Sequence, residues 1–239
     1  MPLHSIRPLP GGAQLGLWHL RETPAALWPQ LADAGAYYPL LPARADGPRQ
    51  AQWLAGRVLV QRMLAAAALS SVLPTLQNDA TGRPFLVGVS PAPAVALSHS
   101  GAWVAALLAP PGAAAGVDVE LVRDKALRIA RKFLNDDELL ASQNSTLANN
   151  TGCAPTPVEM FSLLWSAKET LYKLAGQRGI IFRQNLLLDL PPGPGPWPAA
   201  GKLPARLALA SGISRHLICY FQPAAGYVLT YCYALSPNF

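Results

Sequence analysis

The chain is short of charge. Of its 239 residues only 13% are Asp, Glu, Lys or Arg, where a soluble domain usually carries about 25%. Each ionisable side chain is therefore a stronger clue than usual. Acids are the scarcer sign, 13 against 19 Lys and Arg, for a formal charge of +6 and a pI near 9.5. Such an excess suits an anionic partner. The positive residues form no Lys/Arg run, however, so nucleic acid is not the expected one. Cysteine is nearly absent: Cys153, Cys219 and Cys232, an odd number with no CxxC and no Cys/His zinc spacing. This reads as reduced thiols in a cytosol. Long apolar runs are missing too. The longest, residues 102–116, is broken by Pro110 and Pro111 and falls short of the about 20 residues that span a bilayer. The first residues lack the charged start and apolar stretch of a signal peptide. A soluble, cytoplasmic protein with no membrane partner is expected.

What is abundant is apolar residue, 51% of the chain, enough for one large domain or two small ones with a buried core. Residues 50–73, Ala/Leu-rich and ending before Pro74, predict a helix. Asn78-Asp79-Ala80-Thr81-Gly82 predicts a turn. Residues 95–108 hold two apolar runs around Ser98-His99-Ser100-Gly101, read as strand, turn and strand. Beyond a Pro110-Pro111-Gly112 loop, residues 115–121 predict a strand. Residues 125–134 predict one amphipathic helix with Ala126, Ile129, Ala130 and Phe133 on its apolar face. Residues 142–155 are polar and expected as a loop. Thr156 as N-cap, Pro157 at the first helical position and Glu159 completing a capping box start a helix that Gly176 and Gly179 end. A Pro/Gly loop follows at 191–198, then strands at 206–210, 216–222 and 227–234, the last two as a hairpin. Each half is a helix followed by strands. The expected fold is α+β, two similar lobes, with the division between Pro110 and Gly116.

The candidate chemistry lies in three places. Asp118 and Glu120 alternate with Val117, Val119 and Leu121, so both carboxylates share one face of a strand. Like charges so placed repel unless a cation lies between them. A solvated acidic edge is the other reading of the same pattern. In Trp165-Ser166-Ala167-Lys168-Glu169-Thr170-Leu171-Tyr172-Lys173, Glu169 and Lys173 share a helix face with Trp165. Alone they would be an ordinary surface ion pair worth about 0.3–0.5 kcal/mol. Meeting Asp118 and Glu120, Glu169 would complete an oxygen-rich set suited to Mg²⁺, with Lys173 close enough to touch the same phosphate. Ser98-His99-Ser100-Gly101 supplies hydroxyls, an imidazole and a glycine-freed backbone at a turn, all donors suited to an anion. No nucleophile-elbow pattern surrounds them.

Taken in order, these pieces resemble the Sfp-type 4′-phosphopantetheinyl transferase family. Leu97-Ser98-His99-Ser100-Gly101-Ala102-Trp103-Val104 followed by Gly116-Val117-Asp118-Val119-Glu120 is similar to the family's central signature. Ala130-Arg131-Lys132-Phe133-Leu134 with Glu138 resembles the next segment, and the Trp-Ser-x-Lys-Glu-x-x-x-Lys pattern ending at Lys173 the third motif. Gly82-Arg83-Pro84 resembles a Gly-Lys-Pro element, with Arg83 for the usual Lys. Arg49-Gln50-Ala51 with Leu54-Ala55-Gly56-Arg57 resembles the helix before it.

The resemblance implies a fold of two related α+β lobes in pseudo-twofold relation with the active site between them. Residues 1–112 would contact the adenine and 3′-phosphate of coenzyme A. Residues 113–239 would hold the metal and meet the carrier. It implies transfer of the phosphopantetheine arm of coenzyme A to a serine of an acidic acyl or peptidyl carrier protein, Mg²⁺-dependent, by a monomer, with release of 3′,5′-ADP. Asp118, Glu120 and Glu169 would bind the metal. Glu169 and Lys173 would act in catalysis. Arg49, Arg57, Gly82, Arg83, Pro84, Ser98, His99, Lys168 and Lys173 would contact coenzyme A, His99 at the 3′-phosphate. Two other readings use the same residues: a metal-dependent phosphohydrolase, and a basic module that binds acidic proteins without catalysis.

Overall fold

The computed structural model describes residues 2–42, 46–67, 74–147, 155–191 and 198–235. Arg44, Cys153, the far end of the helix expected over 50–73, part of the loop expected over 142–155 and most of the Pro/Gly loop at 191–198 lie outside them. The chain divides into two units, Met1–Ala115 and Gly116–Phe239. Helices and antiparallel strands make it an α+β protein. No helix among the described residues is long and apolar enough to cross a membrane.

The first unit contains β1 (Leu3–Pro8), β2 (Gln14–His19), α1 (Pro24–Leu27), α2 (Ala34–Tyr37), α3 (Gly47–Ala66), β3 (Thr75–Asn78), β4 (Pro84–Val87), β5 (Ala94–Ser100) and β6 (Trp103–Ala109). The sheet order is β1-β2-β6-β5, with β3 and β4 as a separate hairpin. The long helix starts three residues earlier than its apolar pattern predicts. Asp46 caps it by accepting from the Arg49 N–H, and Pro48 fits its first turn. Leu54, Val58 and Leu59 are buried in one cluster with Trp18, Val104 and Leu108 of the sheet. The β3–β4 hairpin hangs from α2 and α3 by polar ties. The Tyr37 hydroxyl accepts from Leu76 N at 3.0 Å and from Gln61 Nε2 at 3.4 Å.

The β5–β6 hairpin corrects one expectation. Ser98, His99 and Ser100 are not in the turn. They belong to β5 and pair with Ala105, Val104 and Trp103, leaving only Gly101 and Ala102 to turn. Strand alternation then buries Ser98 and Ser100 and exposes His99 on the opposite face.

The second unit takes in β7 (Ala114–Leu121), whose first two residues precede the division, α4 (Asp124–Arg128), α5 (Ala130–Phe133), α6 (Asp136–Leu147), α7 (Pro157–Ala175), α8 (Phe182–Asn185), β8 (Leu186–Leu188), β9 (Ala200–Leu209), β10 (Gly212–Phe221) and β11 (Tyr227–Ala234). The sheet order is β7-β11-β10-β9-β8. The single helix expected over 125–134 is two, broken at Ile129 (φ −105°, ψ 10°). Residues 142–147, expected as loop, continue α6. That helix had a readable start: Asn135 Oδ1 accepts from Glu138 N while Glu138 Oε2 accepts from Asn135 N, both 2.9 Å, a second capping box. Strand β9 begins at Ala200 rather than 206 and runs through Pro204. Pro204 O accepts from Asp189 N just past the end of β8, so the N–H that proline lacks would face the sheet edge beyond that strand.

α7 is built as its ends predict. The Thr156–Glu159 capping box is present, and Gly176 closes the helix at φ 61°. Three hydroxyls fasten it to β11. Thr230 Oγ1 lies 3.0 Å from Ser166 Oγ and 2.6 Å from Thr170 Oγ1, and donates to Ser166 O at 2.9 Å. Against β7 the approach is closer still. A Cβ at Gly116 would strike the Thr170 carbonyl oxygen and lie 3.0 Å from Leu174 N.

Lys168 corrects a second expectation. It has no exposed surface, and its Nζ donates to Glu138 Oε2 at 2.6 Å and to Phe182 O at 3.2 Å. Glu138, itself 3% exposed, also accepts from Leu188 N at 2.7 Å. Burial pulls the Lys168 ammonium below its usual pKa, and Glu138 opposes that pull. The lysine bolts α6, α7 and β8 together and is not on offer to a ligand. Breaking a buried pair by removing one partner costs about 3–5 kcal/mol, because the other charge stays buried. Lys168→Met should therefore lower Tm by roughly 6–20 °C. The same change at exposed Lys132 should leave it nearly unchanged; thermal melts of the two variants check this.

Candidate active site

The second unit gathers the acids. The β7 alternation puts Asp118 and Glu120 on one side, and α7 lies along them because Gly116 has no side chain to hold it off. Lys173 Nζ donates to Asp118 Oδ1 at 2.8 Å and to Val117 O at 2.9 Å. Trp165 Nε1 donates to Glu120 Oε1 at 3.1 Å. Asp118 is only 4% exposed, so the reading of a solvated acidic edge does not hold for it. The ordinary Glu169–Lys173 surface pair gives way as well: the lysine reaches across to the strand instead.

Glu169 sits between them in charge. Burial pushes its carboxyl up from 4.5 to about 7; Lys173 works against this, and the Asp118 and Glu120 charges add to it. The three expected metal ligands thus feel one another. As their side chains stand, no three His, Cys, Asp or Glu groups among the described residues are close enough to hold one ion. The donor chemistry nevertheless fits a hard divalent cation. All three groups are carboxylates, and their mutual repulsion is what such an ion relieves.

Trp165 is itself fixed, edge-on to Phe133 at 5.1 Å and stacked on Phe182 at 5.7 Å. Beside it opens a cleft lined by Glu120, Arg123, Lys125, Ile129, Ser162 and Trp165. Lys125, Arg128 and Lys132 are all exposed, but the break at Ile129 means that they do not share one continuous helical face. Ser162 lies one helical turn before Trp165, within the stretch from Phe161 to Lys173 that resembles the third motif, whereas no motif matched Phe182.

The first unit holds the other expected contacts. Arg49 is exposed in the first turn of α3. Gly82 (φ 89°) and Arg83 lie in the β3–β4 turn and Pro84 opens β4; in the turn Asp79 Oδ1 accepts from Thr81 N at 2.7 Å, Thr81 Oγ1 at 2.6 Å and Arg83 N at 3.0 Å. His99 is exposed on β5 two residues before the turn, and Gln52 Nε2 donates to Gly101 O at 2.9 Å. Ser98 is 8% exposed on the other face of the strand from His99. Arg57 departs from expectation. It is 4% exposed, with Nη1 on Trp53 O and Nη2 on Asn78 Oδ1, so it faces the protein rather than a ligand.

An α7 acid and lysine set against paired acids on a strand would suit phosphoryl-type transfer. Residues 114–232 match the model of the 4′-phosphopantetheinyl transferase superfamily, and the chain belongs to that superfamily. It is 30% identical over 131 residues to the 4′-phosphopantetheinyl transferase AcpT of Escherichia coli O157:H7, 55% of this chain and 60% of that protein. It is 38% identical over 96 residues to AcpT of Salmonella typhi, 40% of this chain and 43% of that protein. The chain therefore spans less than two thirds of either relative.

The displaced Glu169 carboxyl gives a pH prediction for the metal-free protein. Its folded pKa, about 7, lies above the unfolded value, 4.5. The fold thus holds the proton more tightly than the unfolded chain, and stability falls as pH rises through that window. Between about pH 5 and pH 8 the loss from this group should reach at most about 3 kcal/mol. Glu169→Gln should remove that part of the slope, and urea midpoints for the two proteins in a chelator measure it.

Proposed function

We propose that the protein transfers the 4′-phosphopantetheine arm of coenzyme A to a serine of an apo acyl or peptidyl carrier protein. The observation that carries this is the facing set of Asp118 and Glu120 on β7 and Glu169 and Lys173 on α7, inside the stretch that matches the superfamily. The serine oxygen forms a bond to the β-phosphorus of coenzyme A. The bridging P–O bond breaks, and 3′,5′-ADP leaves with the electron pair. Glu169 takes the serine proton directly or through a water. Lys173, already beside Asp118, neutralises charge developing on the diphosphate. Asp118, Glu120 and Glu169 would hold Mg²⁺, which supplies Lewis-acid stabilisation of the phosphoryl oxygens.

The first unit is assigned the nucleotide. Gly82, Arg83 and Pro84 lie along the adenine, His99 reads the 3′-phosphate, and Arg49 and Ser98 complete the contacts. Lys168 and Arg57, turned inward, are not among them. The carrier is acidic and meets the exposed Lys125, Arg128 and Lys132, and the enzyme acts as a cytoplasmic monomer. The basic surface around α4 and α5 supports the choice of an acidic partner.

Incubated with coenzyme A, Mg²⁺ and an apo carrier, the protein should add one phosphopantetheine to one serine, read by intact mass. Asp118→Asn and Glu169→Gln should each lower kcat by about 10²-fold or more while the protein stays folded. Release of 3′,5′-ADP without any carrier would instead indicate the phosphohydrolase, and carrier binding with no mass gain the non-catalytic module.

The 3′-phosphate contact is made equally in ground and transition states, so its loss should appear in KM alone. His99→Ala should raise KM for coenzyme A by about 10- to 150-fold, the worth of a charge-assisted hydrogen bond. It should also lose most of the preference for coenzyme A over dephospho-coenzyme A. Full retention of that preference would remove His99 from the assignment.

A further inference from the structure

Within the first unit one cation is held away from the surface. The Arg57 guanidinium lies 3.5 Å from the centroid of the Trp53 ring, one helical turn earlier on α3. Nη1 donates to Trp53 O at 3.1 Å and Nη2 to Asn78 Oδ1 at 2.8 Å. Burial lowers its pKa to about 9, with Tyr37 opposing, and it remains charged at neutral pH. Taking a charge out of water is costly unless something in the fold uses it. Here the hydrogen-bonding partner is a neutral amide rather than a carboxylate, so the use is to be sought in what that amide does.

Asn78 relays the contact. Its Nδ2 donates to Gly82 O at 2.8 Å. Arginine has only donors, so the amide has one allowed orientation, oxygen towards Arg57 and nitrogen towards Gly82. The cation polarises the amide and strengthens the second bond. The Gly82 carbonyl belongs to the turn that presents Arg83, and Asp79 closes the same turn from within through Gly82 N on its carbonyl oxygen at 2.9 Å and Arg83 N on Oδ1. Gln52, one turn before Gly56 on the same helix, bonds Gly101, two residues after His99. One rigid helix therefore holds both loops.

We propose that Arg57 is a positioning residue for the nucleotide half of coenzyme A, fixing through Asn78 the turn that carries Gly82 and Arg83. The proposal rests on the transferase reading above. It assigns to Arg57 no contact with the ligand. Lysine cannot replace it: a single ammonium loses the planar stack on Trp53 and the fork that spans Trp53 O and Asn78.

The test uses Arg57→Lys, Asn78→Ala and the double variant. Amide exchange over residues 79–83 reads the turn itself, and steady-state kinetics with coenzyme A and a carrier read its consequence. Each single variant should speed exchange in the turn and raise KM for coenzyme A about 10-fold, the scale of one charge-assisted hydrogen bond. kcat and the carrier KM should stay within about twofold, a split that mere loss of folding stability would not give. The double variant should be no worse than the singles, because both cut one chain of bonds. An unchanged KM with a loosened turn, a parallel fall in kcat, or additive effects would overturn the proposal. A wild-type protein inactive on every carrier would overturn the functional reading and the nucleotide role with it, while the exchange data would still show whether Arg57 holds the turn.

Discussion

The second unit depends on one steric fact, that Gly116 lets the backbone of α7 touch β7. A helix laid on a sheet normally stands off by the depth of the side chains between them. Here the Thr170 carbonyl occupies the space a Cβ would need, and the next turn of the helix brings Lys173 within 2.8 Å of Asp118. The hydroxyls of Ser166, Thr170 and Thr230 fix the same helix against the neighbouring strand. Glu138 and Lys168 fix it from behind. Glu169 follows Lys168 in the sequence, so the residue that anchors the helix and the residue that faces the acids are adjacent, about 100° apart around the helix.

Electrostatics follows from that packing. With so few acids in the chain, three placed in mutual range is a concentrated expense. Lys173 and Trp165 each relieve one of them, and Glu169 is left to take up a proton. A site in this condition is ready for a cation and for phosphate oxygens, which would redistribute the same donors. The first unit shows the complementary economy, a buried cation whose role is mechanical, transmitted through one side-chain amide.

Much of this was legible in the sequence because it is local. Thr156, Pro157, Glu159 and Gly176 bound α7 by their own chemistry, and the spacing of Asp118 and Glu120 puts them on one face of a strand. The Asn135–Glu138 box is equally local. Ser98-His99-Ser100 was placed in a turn because a strand of Ser and His looks like a turn until its apolar partner, Trp103-Val104-Ala105, is paired with it. Lys168 and Arg57 differ from their expected placement for another reason. A lysine or arginine in a motif reads as a ligand contact, and only the partners Glu138 and Asn78, 30 and 21 residues away in sequence, turn it inward. Which residues are near is a tertiary fact, and no spacing rule contains it.

The hydroxyl cluster under α7 has a further consequence. Each oxygen serves its neighbours, so replacing Ser166, Thr170 or Thr230 alone by an apolar residue strands a buried partner, whereas an apolar set of matching volume would strand none. The viable states lie on either side of a valley that single substitutions must cross. Descendants of this chain are thereby expected to keep the three together or to exchange them together, a linkage imposed by packing beneath the site rather than by the chemistry above it.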